Sequence, residues 1–253
     1  MSTSKGKPDT ELVDFSTRFQ TIEEIMEVTT KPIIVDGDTG GSVEHFKYRV
    51  KTLERLGVSA VVIEDKIGNK RNSMFGTEVS QAQDTMKNFG EKIMAGTDAR
   101  ITDNFLIIAR IESLILGKGI DDALERAKHY IKCGADAILI HSKSSDGEEV
   151  LDFAIKYRNI RIVSRVDRSY PQWHWAEVDI PLVVVPTTYY QVSISDLEEV
   201  GVNAVIYANQ LLRAAYPAMV DVANSILVND CCSECEDWML DTKTLISFIP
   251  EDY

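Results

Sequence analysis

LERLGVSAVVIED, residues 53–65, decides the fold. Its opening residues finish a helical pattern in which Val43, Phe46, Val50, Leu53 and Leu56 recur at helical spacing. Gly57 turns the chain. Ser59–Ile63 then reads as a short apolar run, the pattern of a strand buried on both faces, and Glu64 and Asp65 close it. AKHYIKCGADAILIHS, residues 127–142, repeats the order: Leu124, Ala127 and Ile131 on a helix, Gly134 as its stop, then a strand at Ala137–Ile140 ending in His141. Each stretch is half of a βαβ unit. Outward from these two, strands are expected at Pro32–Val35, Phe105–Ala109, Leu182–Val185 and Ala204–Tyr207, and Val150, Phe153, Ala154 and Tyr157 form a third helical stripe. The pattern predicts an α/β chain with one parallel sheet, either a closed TIM-type (β/α) barrel or an open doubly wound sheet. Asp36, Asp38, Glu64, Arg110, His141 and Thr187 all sit just past strand ends. A barrel collects such residues around one mouth, which favours it, although six strands fall short of eight.

The rest of the chain narrows the function. Its 253 residues, 44% hydrophobic and 26% charged, suffice for a sizeable core. We read one domain over 1–253, with a composition break at 161–179 that holds two of the three tryptophans and is expected to be a long loop or strand-like excursion. The last helices are expected at Gln210–Val228 and after Cys235. A net charge of −13 repels phosphate backbones and anionic bilayers, so neither nucleic acid nor membrane is an expected partner. No eighteen-residue run is uninterruptedly apolar, and the opening residues lack the apolar core of a secretory signal. Cys133 follows a helical stripe and reads as a core thiol. Cys231, Cys232 and Cys235 cluster without a histidine or a second pair, which is poor zinc spacing. The cysteine pattern suits a reducing compartment, and a cytoplasmic location is expected. No Gly-x-Gly-x-x-Gly or Walker A string is present, and the aspartates beside Gly37, Gly40 and Gly41 would repel a diphosphate.

The chemistry lies at the strand ends. Asp36 and Asp38 follow one strand, and Glu64 and Asp65 the next, so neighbouring barrel strands would gather three or four carboxylates. Their mutual repulsion would be resolved by a hard cation, and oxygen-only ligation fits Mg²⁺, with Mn²⁺ as the alternative. The competing reading is a set of helix N-caps and surface acids. Arg110 and His141 follow successive strands and together suit a phosphoryl or carboxylate group. The competing readings are a salt bridge to Glu112 and a satisfied core histidine. Lys66–Ser73, KIGNKRNS, is either a mobile lid or an ordinary βα loop.

PIIVDGDTGG (32–41), VVIEDKIGNKRNS (61–73), IIARIES (107–113), ADAILIHSK (135–143) and PLVVVPTTYY (181–190) together resemble the phosphoenolpyruvate mutase family, of the isocitrate lyase / phosphoenolpyruvate mutase superfamily. The resemblance covers residues 5 to about 230 apart from 161–179. It implies a modified (β/α)₈ barrel that uses Mg²⁺ and forms homo-oligomers, dimers or tetramers, with an exchanged C-terminal helix. Asp36 matches the direct metal ligand, and Asp38 and Glu64 match acids that hold metal-bound waters. Arg110 and His141 match groups around the phosphoryl and carboxylate ends of the substrate. Lys70, Asn72 and Ser73 match a gating loop, and Asp9 matches an aspartate close to the phosphoryl group. The carbon–carbon lyases of the superfamily carry Lys-Arg-Cys-Gly-His in that loop, where this chain has no cysteine. The implied reaction is therefore the interconversion of phosphoenolpyruvate and phosphonopyruvate, with a downstream decarboxylase to draw it forward. The alternatives are a phosphonopyruvate hydrolase and a catalytically impaired homologue that binds metal or is completed by a partner. The resemblance begins inside the family domain: the first two strands and a Ser-Gly-Leu carboxylate-binding turn have no counterpart, so the six strands would be the third to eighth of the family barrel.

Overall fold

The computed structural model describes residues 2–68, 81–160, 163–167, 174–177 and 179–248. Two compact units divide the chain, Met1–Ile206 and Tyr207–Tyr253. The first is built on a six-stranded sheet of β1 (Ile34–Asp36), β2 (Ala60–Glu64), β5 (Leu106–Ile111), β6 (Ala137–Ile140), β9 (Leu182–Val184) and β10 (Ala204–Val205), in that spatial order. Every neighbouring pair is parallel. All six expected strands are present, and chain order equals sheet order, as in a barrel wall and unlike a doubly wound sheet. The result is an α/β fold with a curled parallel sheet of TIM type.

The sheet buries different residues on its two faces, as the two-residue period of a strand requires. Val61, Ile63, Ile107, Ala109, Ile138 and Ile140 pack into the larger cluster with helix residues such as Phe46, Leu53, Phe89 and Ala127. Ala60, Val62, Ile108, Ala137, Leu139, Val183 and Val185 form the second cluster on the opposite face. That cluster is made of alanine, valine, isoleucine and leucine, side chains small enough for the concave side of a curled sheet.

The helices of this unit are α1 (Phe15–Met26), α2 (Val43–Arg55), α3 (Met86–Ala99), α4 (Gly119–Lys132), α5 (Glu148–Arg158) and α6 (Ile194–Glu199). Side chains of Asp14, Ser42, Thr85 and Ser193 cap α1, α2, α3 and α6. The strand-end acids are therefore not the caps of the helices that follow them, which removes one of the competing readings. Two glycines make α3 possible where it stands. A Cβ on Gly96 would lie 2.3 Å from Phe46 Cε1, and one on Gly90 2.7 Å from Cys133 Sγ. Cys133 is half-buried, 3.6 Å from His129 Nε2.

Two short antiparallel pairs stand outside the main sheet. β3 (Lys66–Ile67) pairs with β4 (Ala82–Gln83), on either side in sequence of 69–80. Within the 161–179 excursion, β7 (Val163–Asp167) pairs with β8 (His174–Glu177) through an irregular register, so the strand-like alternative applies to the described part of it.

In the second unit, α7 (Gln210–Asn229) buries none of its residues, and a 3₁₀ turn at Ser233–Trp238 and α8 (Thr242–Ser247) follow. By length and composition α7 is apolar enough to cross a membrane, although Arg213 and Asp221 interrupt its apolar run. The same length and composition serve a helix that packs on another chain. Cys231 and Cys232 are exposed, and Cys235 is buried with its thiol 3.3 Å from the Cys232 carbonyl.

Candidate active site

The strand ends of the sheet bring acids and bases into one network. Glu64, the last residue of β2, is directly paired with Arg110 of β5. Two residues further along the same face of each chain stand Lys66 and Glu112. Arg110 Nε donates to Glu112 Oε1 at 2.5 Å and lies 3.7 Å from Glu64 Oε2. Lys66 Nζ lies 3.0 Å from Glu112 Oε2 and 3.7 Å from Glu64 Oε1. Glu64, Arg110, Glu112 and Lys66 thus form a square of alternating sign. Its acids and its lysine are buried, and the arginine keeps 16% of its side chain in contact with solvent.

Two of the corners, Glu112 and Arg110, are held ionised by their neighbours. Burial works against the Glu112 carboxylate, but Arg110 and Lys66 outweigh it and bring the carboxyl down to about 2. Burial likewise opposes the Arg110 guanidinium, and Glu112, Glu64 and Asp36 more than offset it, so its pKa is raised. His141, the residue after β6, is 5% exposed, and among the described residues its Nδ1 has no hydrogen-bond partner. Burial first and then Arg110 push it down to about 4, so at neutral pH it is an uncharged imidazole. The salt bridge between Arg110 and Glu112 that competed with a functional reading exists, within a larger network.

The turn after β1 carries the other acids. Gly37 N donates to Val62 O at 2.7 Å and Glu64 N to Asp38 O at 2.8 Å, which lays the turn along β2. A Cβ on Gly37 would sit 2.8 Å from that Val62 oxygen. Asp38 takes φ 52°, a left-handed conformation that aspartate tolerates better than most residues. Cations from three helices grip the turn: Arg18 of α1 on the Asp36 carbonyl at 2.9 Å and on the Asp38 carboxylate, Arg49 of α2 on the Gly40 carbonyl at 2.8 Å, and Lys92 of α3 on the Thr39 carbonyl at 2.7 Å. Asp36 itself is exposed, and its Oδ1 accepts from Asp38 N at 3.0 Å. Asp9 is half-buried, and Glu11 fixes its segment to the turn by accepting from Thr39 N at 3.0 Å and Thr39 Oγ1 at 2.8 Å. Lys70, Asn72 and Ser73 lie outside the described residues.

Two expectations change. The carboxylates do not stand in unrelieved repulsion, because Arg18 meets Asp38 while Lys66 and Arg110 meet Glu64. Asp65 does not join the acids: as the residue between Glu64 and Lys66 it points to the other face, where Arg126 and Tyr130 of α4 bind it at 3.0 and 2.7 Å. From sequence, Glu112 is visible only as a salt-bridge partner of Arg110, and Lys66 only as the first residue of a loop. The signal for both was the spacing Glu-x-Lys and Arg-x-Glu on adjacent strands.

Among the described residues no three His, Cys, Asp or Glu side chains converge to hold a metal by themselves. Mg²⁺ does not ask for that: it retains several waters and usually takes one or two carboxylates. An exposed Asp36 beside buried Asp38 and Glu64, all oxygen donors, fits one direct ligand and two acids reaching the ion through water. The fit rests on this donor chemistry, since the protein's own cations already offset the repulsion.

The arrangement can present a fixed guanidinium, a neutral imidazole and an oxygen-lined cation site to a small anion. The family model for phosphoenolpyruvate phosphomutase matches residues 1–227. The phosphoenolpyruvate phosphomutase of Tetrahymena pyriformis is 32% identical over 253 residues, 100% of this chain and 78% of that protein. The phosphonopyruvate hydrolase of Variovorax sp. (strain Pal2) is 36% identical over 224 residues, 88% of this chain and 70% of that one. Among solved structures, phosphoenolpyruvate phosphomutase from Streptomyces platensis subsp. rosaceus superposes with a TM-score of 0.85 at 34% identity, covering 97% of this chain and 79% of its own. A phosphonopyruvate hydrolase in complex with oxalate and Mg²⁺ gives 0.81 at 33%, covering 97% and 78%.

Proposed function

We propose that this chain, which belongs to the phosphoenolpyruvate phosphomutase family, interconverts phosphoenolpyruvate and 3-phosphonopyruvate by moving a phosphoryl group between the enol oxygen and C3 of one pyruvate skeleton. One observation carries the reading: likeness to a mutase spans the whole chain, and the segment at 69–73, Asn-Lys-Arg-Asn-Ser, lacks the cysteine that the resemblance gives to the carbon–carbon lyases. The greater identity to a hydrolase over a shorter span favours phosphonopyruvate hydrolysis as the second reading.

The chain's own residues divide the work. Arg110, oriented by its 2.5 Å bond to Glu112, presents a fixed positive charge to the oxygens of the phosphoryl group in flight. His141, uncharged, offers a hydrogen bond and does not add a second cation. Asn72, by resemblance, contributes an amide to the same group, and closure of its segment would keep water from diverting the phosphoryl to hydrolysis. Asp36, Asp38 and Glu64 would hold Mg²⁺ directly or through its waters, and the ion would supply Lewis-acid stabilisation of the enolate. A decarboxylase acting on the product would draw the uphill reaction forward. The exposed α7 is the segment we expect copies of the chain to exchange.

The test is incubation of the folded protein with phosphonopyruvate and Mg²⁺, followed by phosphorus NMR. Phosphoenolpyruvate supports the mutase, phosphate with pyruvate alone makes it the hydrolase, and no turnover by folded protein overturns both. For the metal, Mg²⁺ should raise the melting temperature of the wild type and not of Asp36→Ala. A rise that survives the substitution overturns the ligand assignment.

A further inference from the structure

Asp65 is fully buried, yet all its polar atoms are engaged. Its N–H donates to Arg110 O at 3.1 Å and its carbonyl accepts from Asp84 N at 2.8 Å. Oδ1 accepts from Glu112 N at 2.9 Å. Oδ2 accepts from Gln83 Nε2 at 2.9 Å, Arg126 Nη1 at 3.0 Å and Tyr130 Oη at 2.7 Å. These bonds reach three elements besides β2: the end of β5, the β4 strand and helix α4. The partners are themselves tied. Arg126 also donates to Asp122 Oδ2 at 2.9 Å and to Asp84 O at 2.9 Å, and Gln83 also donates to Ser113 Oγ at 3.0 Å.

The placement of this residue decides what it does. Glu64 and Lys66 flank it in sequence and point to the opposite face, and its bonds on β5 are to the backbone of Arg110 and Glu112, the other two corners of the charge square. Any rotation or slip of Asp65 moves all four corners. A carboxylate is required, because both oxygens accept, Oδ1 from the Glu112 N–H and Oδ2 from three donors, and an amide has only one accepting atom to offer. Tyr130 is kept a donor: burial and then Asp65 raise its pKa well above that of a free phenol.

We propose that Asp65, with Arg126 and Tyr130, is the positioning unit of the site, fixing from the far face of the sheet where the Arg110 guanidinium and the Glu64 carboxylate stand. This rests on the reading of Arg110 as a substrate-binding residue. Outer-shell partners of this kind are worth about 10- to 100-fold in activity when removed. Tyr130→Phe keeps the ring and loses one donor, and Asp65→Asn puts a donor where one of two accepting oxygens stood. Both should lower kcat at least tenfold with a smaller change in KM. Because the unit acts through Arg110, the loss from Tyr130→Phe should shrink to about twofold or less in an Arg110→Lys background. Equal losses in the two backgrounds overturn the proposal. Hydrogen exchange reads it without turnover. The Asp84 and Glu112 amides should exchange at least tenfold faster in Asp65→Asn, while amides of β6 keep their protection. Unchanged exchange at those two amides overturns the proposal whatever the activity, whereas an inactive wild type with the exchange result intact refutes only the reaction. If Asp65→Asn does not fold, Tyr130→Phe is carried through the same two measurements.

Discussion

Glu112→Gln tests the charge square at its most buried corner. The substitution keeps the shape and removes one negative charge, leaving Arg110 and Lys66 facing Glu64 alone. Glu112 has no solvent exposure, and its carboxyl stands at about 2 against an ordinary 4.5. That displacement corresponds to about 3 kcal/mol of preference for the charged form in the folded chain. Breaking a buried pair by removing one partner costs about 3–5 kcal/mol, the same size by a separate route. In chelator-treated protein the variant should therefore melt about 6–20 °C lower at pH 7, at about 2–4 °C per kcal/mol for a chain of this size. The pH dependence fixes the cause. Because the folded value is the depressed one, the stabilisation is complete above about 4.5 and is lost as pH falls toward 2. The gap between wild type and variant, measured by urea unfolding from pH 7 downward, should stay constant to about pH 5.5 and narrow below 4.5. A gap under about 1 kcal/mol at pH 7 would place Glu112 with ordinary surface pairs and refute the reasoning. So would a gap that does not narrow in acid.

Asn72→Ala should reduce turnover of phosphonopyruvate about a hundredfold or more, the cost of one lost donor to a developing anion, with melting temperature unchanged; unchanged turnover defeats the assignment of that residue. His141 is held down to about 4 from 6.5, so the wild type should lose stability as pH falls from 6.5 toward 4. His141→Asn should lack that component, and parallel stability curves across the window would count against a neutral buried imidazole. Gly96→Ala should destabilise by about 1–3 kcal/mol in urea, because the new methyl would lie 2.3 Å from the Phe46 ring. A variant as stable as wild type would show that α2 and α3 can part without cost.

The sheet was legible because each strand is a short apolar run, and all six overlap the runs that predict them. α1 and α3 were not. The pattern of α3 is interrupted by Gly90 and Gly96, whose reason is the close approach of α4 and α2, a fact of three dimensions. At the site, Asp36, Asp38, Glu64, Arg110 and His141 could be placed on one end of the sheet from their position after each run. Arg18 could not, because its contact with the turn comes from a helix that no local pattern joins to β1. Asp65 was misplaced among the acids for a reason the sequence did contain: residues 64, 65 and 66 alternate faces, and only the first and third share the site.

The charge square has two positive and two negative corners, so its charges sum to zero and its field dies away within a few of its own widths. Beyond that distance an approaching solute senses the −13 of the whole chain, screened over a Debye length of about 8 Å at physiological salt. For a small anion this reverses the usual order of events at a charged cleft. Guided capture, in which association slows as salt is added, needs a long-range attraction that this square does not project. In the metal-free chain added salt should therefore quicken encounter by masking the overall repulsion, while weakening the hold once contact is made. Discrimination at this mouth is therefore exercised at touching distance, by which oxygens can take a place beside Glu112 on the Arg110 guanidinium.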